Sequence, residues 1–252
     1  MPMFEIKSRW DGRVLFALEC GSLKLCVEAA VKSGAILDGA ILDGARLDGA
    51  ILDGARLVGA ILDGARLDGA RLDGARLVGA ILDGARLDGA KLVGAILDGA
   101  RLDGARLDGA KLVGAILDGA RLVGARLDGA RLVGAILDGA RLDGARLDGA
   151  RLVGASLKNC KWGPLTIQRA PIAISIPNYW QVYILDSHMQ IGCELHSFEE
   201  WRKFKDSRIK LMDDQALAFW KQYGPALLAM CATRETGGDA SGGGDEWATP
   251  CT

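Results

Sequence analysis

Apolar residues recur in this chain with an odd period. From Ala35 to Gly154 the unit Ala-Xaa-Leu-Xaa-Gly runs through 24 consecutive copies, with Ile, Arg or Lys at the second place and Asp or Val at the fourth. A flat strand has a side-chain period of two, so a five-residue unit would turn successive leucines to opposite faces. An α-helix would advance each Leu by about 140° and smear the apolar positions around its axis. Its interior glycines would also cost about 1 kcal/mol each. The pattern instead predicts a chain that turns once per repeat: Ala and Leu point inward, the second and fourth residues point outward, and Gly takes the corner, where the missing Cβ permits unusual dihedrals.

A longer period closes the coil. Residues 95–114 and 135–154 are identical 20-residue blocks except for Lys111 against Arg151, so four repeats form one self-similar unit. This predicts an all-β solenoid with four sides per turn, six coils stacked about 4.8 Å apart by backbone hydrogen bonds. Residues 35–159 are assigned to the β-helix and 1–34 to an N-terminal hairpin and capping helix. The hairpin is expected around Asp11-Gly12 as a two-residue, type I′ turn. Ser22 is expected to cap a helix with Leu23, Cys26, Val27, Ala30 and Val31 on one face, which Gly34 ends. Residues 160–234 are assigned to a C-terminal strand and helix module. Its strands fall within 165–195 and break at Pro171 and Pro177; a capping box of Ser197 and Glu200 then opens a helical region with Trp201, Phe204, Ile209, Leu211 and Met212 on its apolar side. A further helix is expected from about Asp214 to Thr233, kinked at Gly224-Pro225. Residues 235–252 have the composition of a disordered tail.

The repeat resembles the pentapeptide-repeat family, in which Leu sits at the centre of each side with Ala just before it. That resemblance implies a right-handed quadrilateral β-helix. The flanks FEIKSRWDGRVLFALECGSLKLCVEAAVKSGA, MQIGCELHSFEEW and ALAFWKQYGPALLAMC are similar to phage and prophage members of unknown role. The family's best understood members resemble DNA and act on type II topoisomerases such as DNA gyrase. A DNA-mimic modulator, or a phage counter-defence protein, is therefore the alternative to a structural scaffold.

Sorting the outward residues by side shows two features. One side carries a charged ladder, Arg46, Arg66, Arg86, Arg106, Arg126 and Arg146 beside Asp48, Asp68, Asp88, Asp108, Asp128 and Asp148. It reads either as a solvated, self-neutralising face or as a site for a polar partner. The other feature is apolar. Val93 with Ile96, Val113 with Ile116 and Val133 with Ile136 align along one edge, while Val58 with Ile61 and Val78 with Ile81 occupy the neighbouring edge. Stacked outward apolar residues read as a contact with a second copy or another partner, as packing against the C-terminal segment, or as tolerated β-propensity.

Charge narrows the partner class. Residues 35–154 hold 17 Asp and 16 Arg plus Lys, and the whole chain has formal net charge −1. A duplex mimic concentrates negative charge and a nucleic-acid binder concentrates positive charge, so alternating signs argue against both. The expected partner is protein, foremost a second copy in a homodimer, with no nucleic acid, membrane, cofactor or small-molecule substrate. The start MPMFEIKSRW lacks the apolar run of a secretory signal and no stretch suits a membrane span, which predicts a cytoplasmic protein.

Chemistry is sparse. His188, Cys193 and His196 lie close in sequence, but H-x4-C-x2-H lacks the paired spacing of a structural zinc site. Cys193 with His196 also lacks an orienting third group and an oxyanion loop for nucleophilic catalysis. The three are read as hydrogen-bonded residues of the C-terminal module, beside core aromatics Tyr179, Trp180, Trp201 and Trp220. Stacked Asp residues gather no carbonyl ligands for calcium, and no Gly-rich phosphate loop follows a strand. No catalytic or metal residue is assigned, and the chain reads as non-enzymatic. Cys20, Cys26, Cys160, Cys193, Cys231 and Cys251 read as reduced thiols, mostly buried, with Cys251 in the tail.

Overall fold

A computed structural model describes residues 1–177 and 179–236. They divide into two compact units, residues 1–170 and a second beginning at Pro171.

In the first unit the period of twenty is explicit: parallel bridges join each second-position residue to its counterpart one coil on, from Ile41 with Ile61 to Arg141 with Lys161. Within a repeat, nearly every backbone donor has its own destination. Leu47 N–H donates to Arg66 O at 2.7 Å, Gly49 N–H to Asp68 O at 2.9 Å and Arg66 N–H to Ala45 O at 2.8 Å, while Ala50 N–H closes the corner on Leu47 O at 3.0 Å. Gly49 takes φ +64 while Asp48 does not enter the left-handed region, the dihedral pattern of a type II turn. Each corner repeats this geometry, which is why Gly cannot be exchanged there at no cost. Inside, Leu47 to Leu147 are at most 2 % exposed. Full burial contributes about 1.5–3 kcal/mol per Leu, offsetting the ordering of a Gly-rich backbone.

The N-terminal segment forms β1 (Met3–Lys7) and β2 (Val14–Glu19), an antiparallel pair. The connection differs from the expected two-residue turn: strand pairing ends at Lys7 with Val14, with a register shift beyond Ile6, and residues 8–13 form the loop. Only Gly12 of the Asp11-Gly12 pair has positive φ, so the type I′ geometry is absent. A competing partner is the cause. Ser8 bridges Ala40, Arg9 N–H donates to Gly39 O at 2.8 Å and Ile41 N–H donates to Lys7 O at 2.9 Å, so the loop is drawn onto the first coil. Helix α1 (Leu23–Lys32) follows, with Ser22 accepting from Leu25 N–H as its N-cap and Cys26, Val27 and Ala30 buried. Its outer side meets the coil: Lys24 Nζ donates to Asp48 O and Glu28 accepts from Ile51 N–H, both at 2.9 Å. Beyond the last regular repeat, β3 (Cys160–Trp162) pairs with β4 (Leu165–Ile167) around Gly163.

The second unit is a four-stranded antiparallel sheet in sequential order, β5 (Ile172–Ile174), β6 (Val182–Ile184), β7 (His188–Ile191) and β8 (Glu194–Ser197). Ser197 and Glu200 form the expected capping box for α2 (Phe198–Lys203). The helical region then breaks at Phe204, whose extended backbone separates α2 from α3 (Asp206–Lys210). The break places Leu211 at 80 % exposure, against its expected apolar side, while Trp201 and Ile209 are buried. Helix α4 spans Ala216–Glu235 with Pro225 inside it. Trp201, Phe219 and Leu227 join Val182, Ile184 and Met189 in the core, with Tyr179, Trp180 and Trp220 packed against it. Residues 237–252, which hold nearly all of the expected disordered tail and Cys251, lie outside the described residues.

Candidate interaction surface

The five-residue unit leaves one backbone donor unused by the coil ladder, the N–H of its fourth residue. Aspartate supplies the acceptor. Asp88 Oδ1 accepts from Asp108 N–H at 3.1 Å, and the same bond recurs from Asp48 to Asp68 and from Asp108 to Asp128. The second carboxylate oxygen takes a guanidinium from the same side of the next coil: Arg86 with Asp68 and Arg106 with Asp88 at 2.6 Å, Arg126 with Asp108 at 2.7 Å, and Arg146 with Asp128 at 2.8 Å. The charged ladder is therefore paired between coils, eighteen residues apart. Contacts along one side are longer, as for Arg126 with Asp128 at 3.9 Å. Arg46, at the start of the column, has no preceding repeat below it. Burial pushes the Asp128 carboxyl up, and the Asp148 N–H and Arg146 counter it.

Valine at the fourth place offers no acceptor and no charge, so each Val interrupts this network. Five of the Val residues fall in one recurring octapeptide, Arg/Lys-Leu-Val-Gly-Ala-Ile-Leu-Asp, at residues 56–63, 76–83, 91–98, 111–118 and 131–138. Around a corner it presents cation, Val, Ile and Asp in that order, with both Leu residues inward. The cation and Asp that flank the apolar pair escape notice when only Val and Ile are followed. On the edge of residues 91–98, 111–118 and 131–138, Val93 and Ile136 are 41 % and 37 % exposed and Val113, Ile116, Val133 and Ile96 are half-buried.

The flanking charges differ between the two edges. Arg56 is taken by Asp38 at 3.1 Å and Asp83 by Arg101, so the edge of Val58, Ile61, Val78 and Ile81 has part of its charge internally paired. On the longer edge, among the described residues, no ion pair reaches the cationic column of Lys91, Lys111, Arg131 and Arg151, nor the acidic column of Asp98, Asp118 and Asp138. The reason is local: the residue eighteen on from Asp98 and Asp118 is Ile, and the residue eighteen before Lys111, Arg131 and Arg151 is Val. Asp138 instead accepts from Ser156 Oγ at 2.6 Å. Burial, then the neighbouring Asp118 charge, pushes the Asp98 carboxyl above its ordinary 3.8, opposed by the Asp118 N–H.

The histidine group does not converge. Met189 pairs with His196 and His188 with Ser197 across β7 and β8, so the two imidazoles leave opposite faces of the sheet. His188 Nδ1 shares a hydrogen with Ser187 Oγ at 2.9 Å, and His196 Nε2 meets Glu194 at 2.7 Å with its ring edge-on to Trp201 and Phe204. Cys193 is exposed at the β7–β8 turn and lines a cavity with Trp180, Glu194, Asp213 and Trp220. Among the described residues no group of three His, Cys, Asp or Glu is placed to hold a metal ion, and no helix is long and apolar enough to cross a membrane.

The repeat itself decides the family. The profile described as pentapeptide repeats matches eight copies, over residues 33–64, 60–99, 100–139 and 125–161, which together take in half of the chain. This chain belongs to the pentapeptide-repeat family. Members of that family form right-handed quadrilateral β-helices, and the four-sided coil of this pentapeptide-repeat protein has the matching period. Among solved structures it is similar to the pentapeptide-repeat protein Rfr23 of the cyanobacterium Cyanothece 51142, at 39 % identity over 38 % of this chain and 63 % of that one, with TM-score 0.34. A pentapeptide-repeat protein of the Arabidopsis thaliana thylakoid lumen matches at 31 % identity over 34 % of this chain and 60 % of that one, TM-score 0.34. HetL of Nostoc sp. strain PCC 7120, involved in heterocyst differentiation regulation, matches at 34 % identity over 51 % of this chain and 76 % of its own, TM-score 0.29. The matches thus take in less than two thirds of the first two chains, and at these TM-scores the family assignment rests on the repeat alone. No curated protein matches the chain.

Proposed function

We propose that this pentapeptide-repeat protein is a non-enzymatic protein-interaction scaffold that self-associates through the edge carrying Val93, Ile96, Val113, Ile116, Val133 and Ile136. One observation carries the reading: apolar residues stack outward there over three coils, between charges that have no ion pair among the described residues, while the Arg/Asp ladder pairs its charges within the coil stack. Water leaves the apolar pair on contact, and the flanking charges supply recognition. A rod built to resemble duplex DNA finds less support, because Asp and Arg plus Lys nearly balance along the repeats and the ladder aspartates Asp48, Asp68, Asp88, Asp108 and Asp128 are paired with arginines at 2.6–2.9 Å.

Light scattering on wild type and on Val113→Lys with Ile116→Lys tests the reading. Wild type is expected at twice the chain mass and the double variant at the chain mass. A monomeric wild type, or an unchanged dimer in the variant, removes this edge as the contact.

A further inference from the structure

We infer that the two copies lie side by side and parallel, related by a two-fold axis running along the rods, so that the cationic column of each rod meets the acidic column of the other. The inference rests on self-association through the same edge, and adds its geometry.

The order of side chains across the edge sets the orientation. At the level of residues 111–118, Lys111 lies on one flank, Val113 and Ile116 in the middle and Asp118 on the other flank. Leu112, Ala115 and Leu117 are buried and Gly114 takes the corner, so Lys111, Val113, Ile116 and Asp118 are the outward side chains. The same order holds at the coils below and above, which makes two columns of opposite sign separated by an apolar strip.

A second copy can face this strip with closed two-fold symmetry in two ways. Rotation about an axis parallel to the rod exchanges left and right but keeps each coil at its own level. Lys111 of one copy then faces Asp118 of the other, and Val113 faces Ile116, twice over by symmetry. Rotation about an axis across the rod keeps left on left and reverses the levels. Cations then face cations and carboxylates face carboxylates along the contact. Like charges opposed in an interface are strongly unfavourable, whereas opposed charges of opposite sign fix register. Either hand of the coil gives the same pairing, because only the order of the columns decides it.

The charges are free to act in this way. Lys111 is exposed and, among the described residues, neither it nor Asp118 has an ion pair. By contrast, Arg106 and Asp88 on the ladder face are already held to each other at 2.6 Å. The edge of Val58 and Val78 spans two coils and has Arg56 paired with Asp38, so it offers a shorter and less complete match.

Charge reversal at one level distinguishes the arrangements. Sedimentation equilibrium is measured on the full chain for wild type, Lys111→Asp, Asp118→Lys and the double swap, with circular dichroism confirming that each is folded. In the parallel dimer each single reversal sets two like pairs in contact and is expected to raise Kd at least about tenfold. The double swap restores two opposite pairs and returns Kd to near the wild-type value. Were the rods antiparallel about this central coil, the swap would only exchange one like-facing column for another and restore nothing. A dimeric wild type whose single variants are unaffected, or whose double swap stays weak, overturns the parallel arrangement and leaves self-association standing. A monomeric wild type overturns both.

Discussion

Arg106 binds Asp88 on the preceding coil at 2.6 Å instead of Asp108 two residues along its own side. The same carboxylate accepts from Asp108 N–H, so one side chain joins two coils by a charge and by a backbone bond. Asp88→Ala is expected to lose both and to destabilise the fold by about 1–2 kcal/mol. Asp88→Asn retains an oxygen for the N–H and loses only the charge, with an expected cost of about 0.2–1 kcal/mol at this partly exposed site. Urea midpoints of the two variants check this; equal losses would mean that the backbone bond contributes nothing.

That bond also marks how far the sequence could be read. The inward Ala and Leu and the four-sided coil followed from the period alone, since steric and dihedral limits leave few ways to repeat every five residues. The partner of each Asp did not follow. In linear text Arg106 stands beside Asp108, whereas coiling brings it to Asp88, and only a search for pairs eighteen and twenty residues apart reveals the double contact. The N-terminal turn departs from its local signal for a related reason: Asp11-Gly12 encodes a tight turn locally, but pairing of Ser8 with Ala40 overrides it. In the second unit, the extended backbone at Phe204 breaks an apolar run that reads as one helix and leaves Leu211 outside. The flanking charges of the longer Val-Ile edge are present in the octapeptide, though their lack of an ion pair among the described residues becomes visible only once each coil has its neighbours.

The N-terminal loop is keyed to one corner of the rod. A Cβ on Gly39, at φ +68, would stand 2.6 Å from the Trp10 ring, whereas one on Gly69, at φ +65, would meet nothing within 4 Å. Both Ala substitutions carry the left-handed backbone penalty of about 1–2 kcal/mol. Gly39→Ala is expected to cost about 1 kcal/mol more than Gly69→Ala, through displacement of the indole. Adding Trp10→Ala to each should abolish the difference in thermal midpoint; a difference that survives would assign it to the backbone instead.

Thiol reactivity should separate the cysteines by burial. Cys160 and Cys231 are buried and their thiols are pushed up to about 12 by desolvation, with Cys160 Sγ also donating to Leu137 O at 2.8 Å. The thiolate is the reactive form, so neither should react in the folded chain near neutral pH. Cys193 is exposed and should label rapidly. A disulfide-exchange assay on wild type and Cys193→Ser is expected to show one fewer fast thiol in the variant, with Cys160 and Cys231 released only in denaturant. Fast labelling of either buried cysteine, located by mass spectrometry, would contradict the packing described for it.

Acid should act on association and on folding in opposite senses at Asp98. Burial and the Asp118 charge hold its folded pKa above 3.8, so the ionised carboxylate costs stability in the single chain. That cost is relieved as pH falls through the raised value, the reverse of the usual acid loss for a paired carboxylate. A cation of the parallel partner favours the ionised form, so dimer formation releases protons and weakens over the same fall in pH. Sedimentation between about pH 7 and about pH 4 should show Kd rising toward acid while the fold persists. Asp98→Asn should weaken the dimer at neutral pH and flatten this dependence, because it removes the titrating charge at that level. A Kd in Asp98→Asn that matches wild type at neutral pH and titrates identically would show that Asp98 takes no part in the contact.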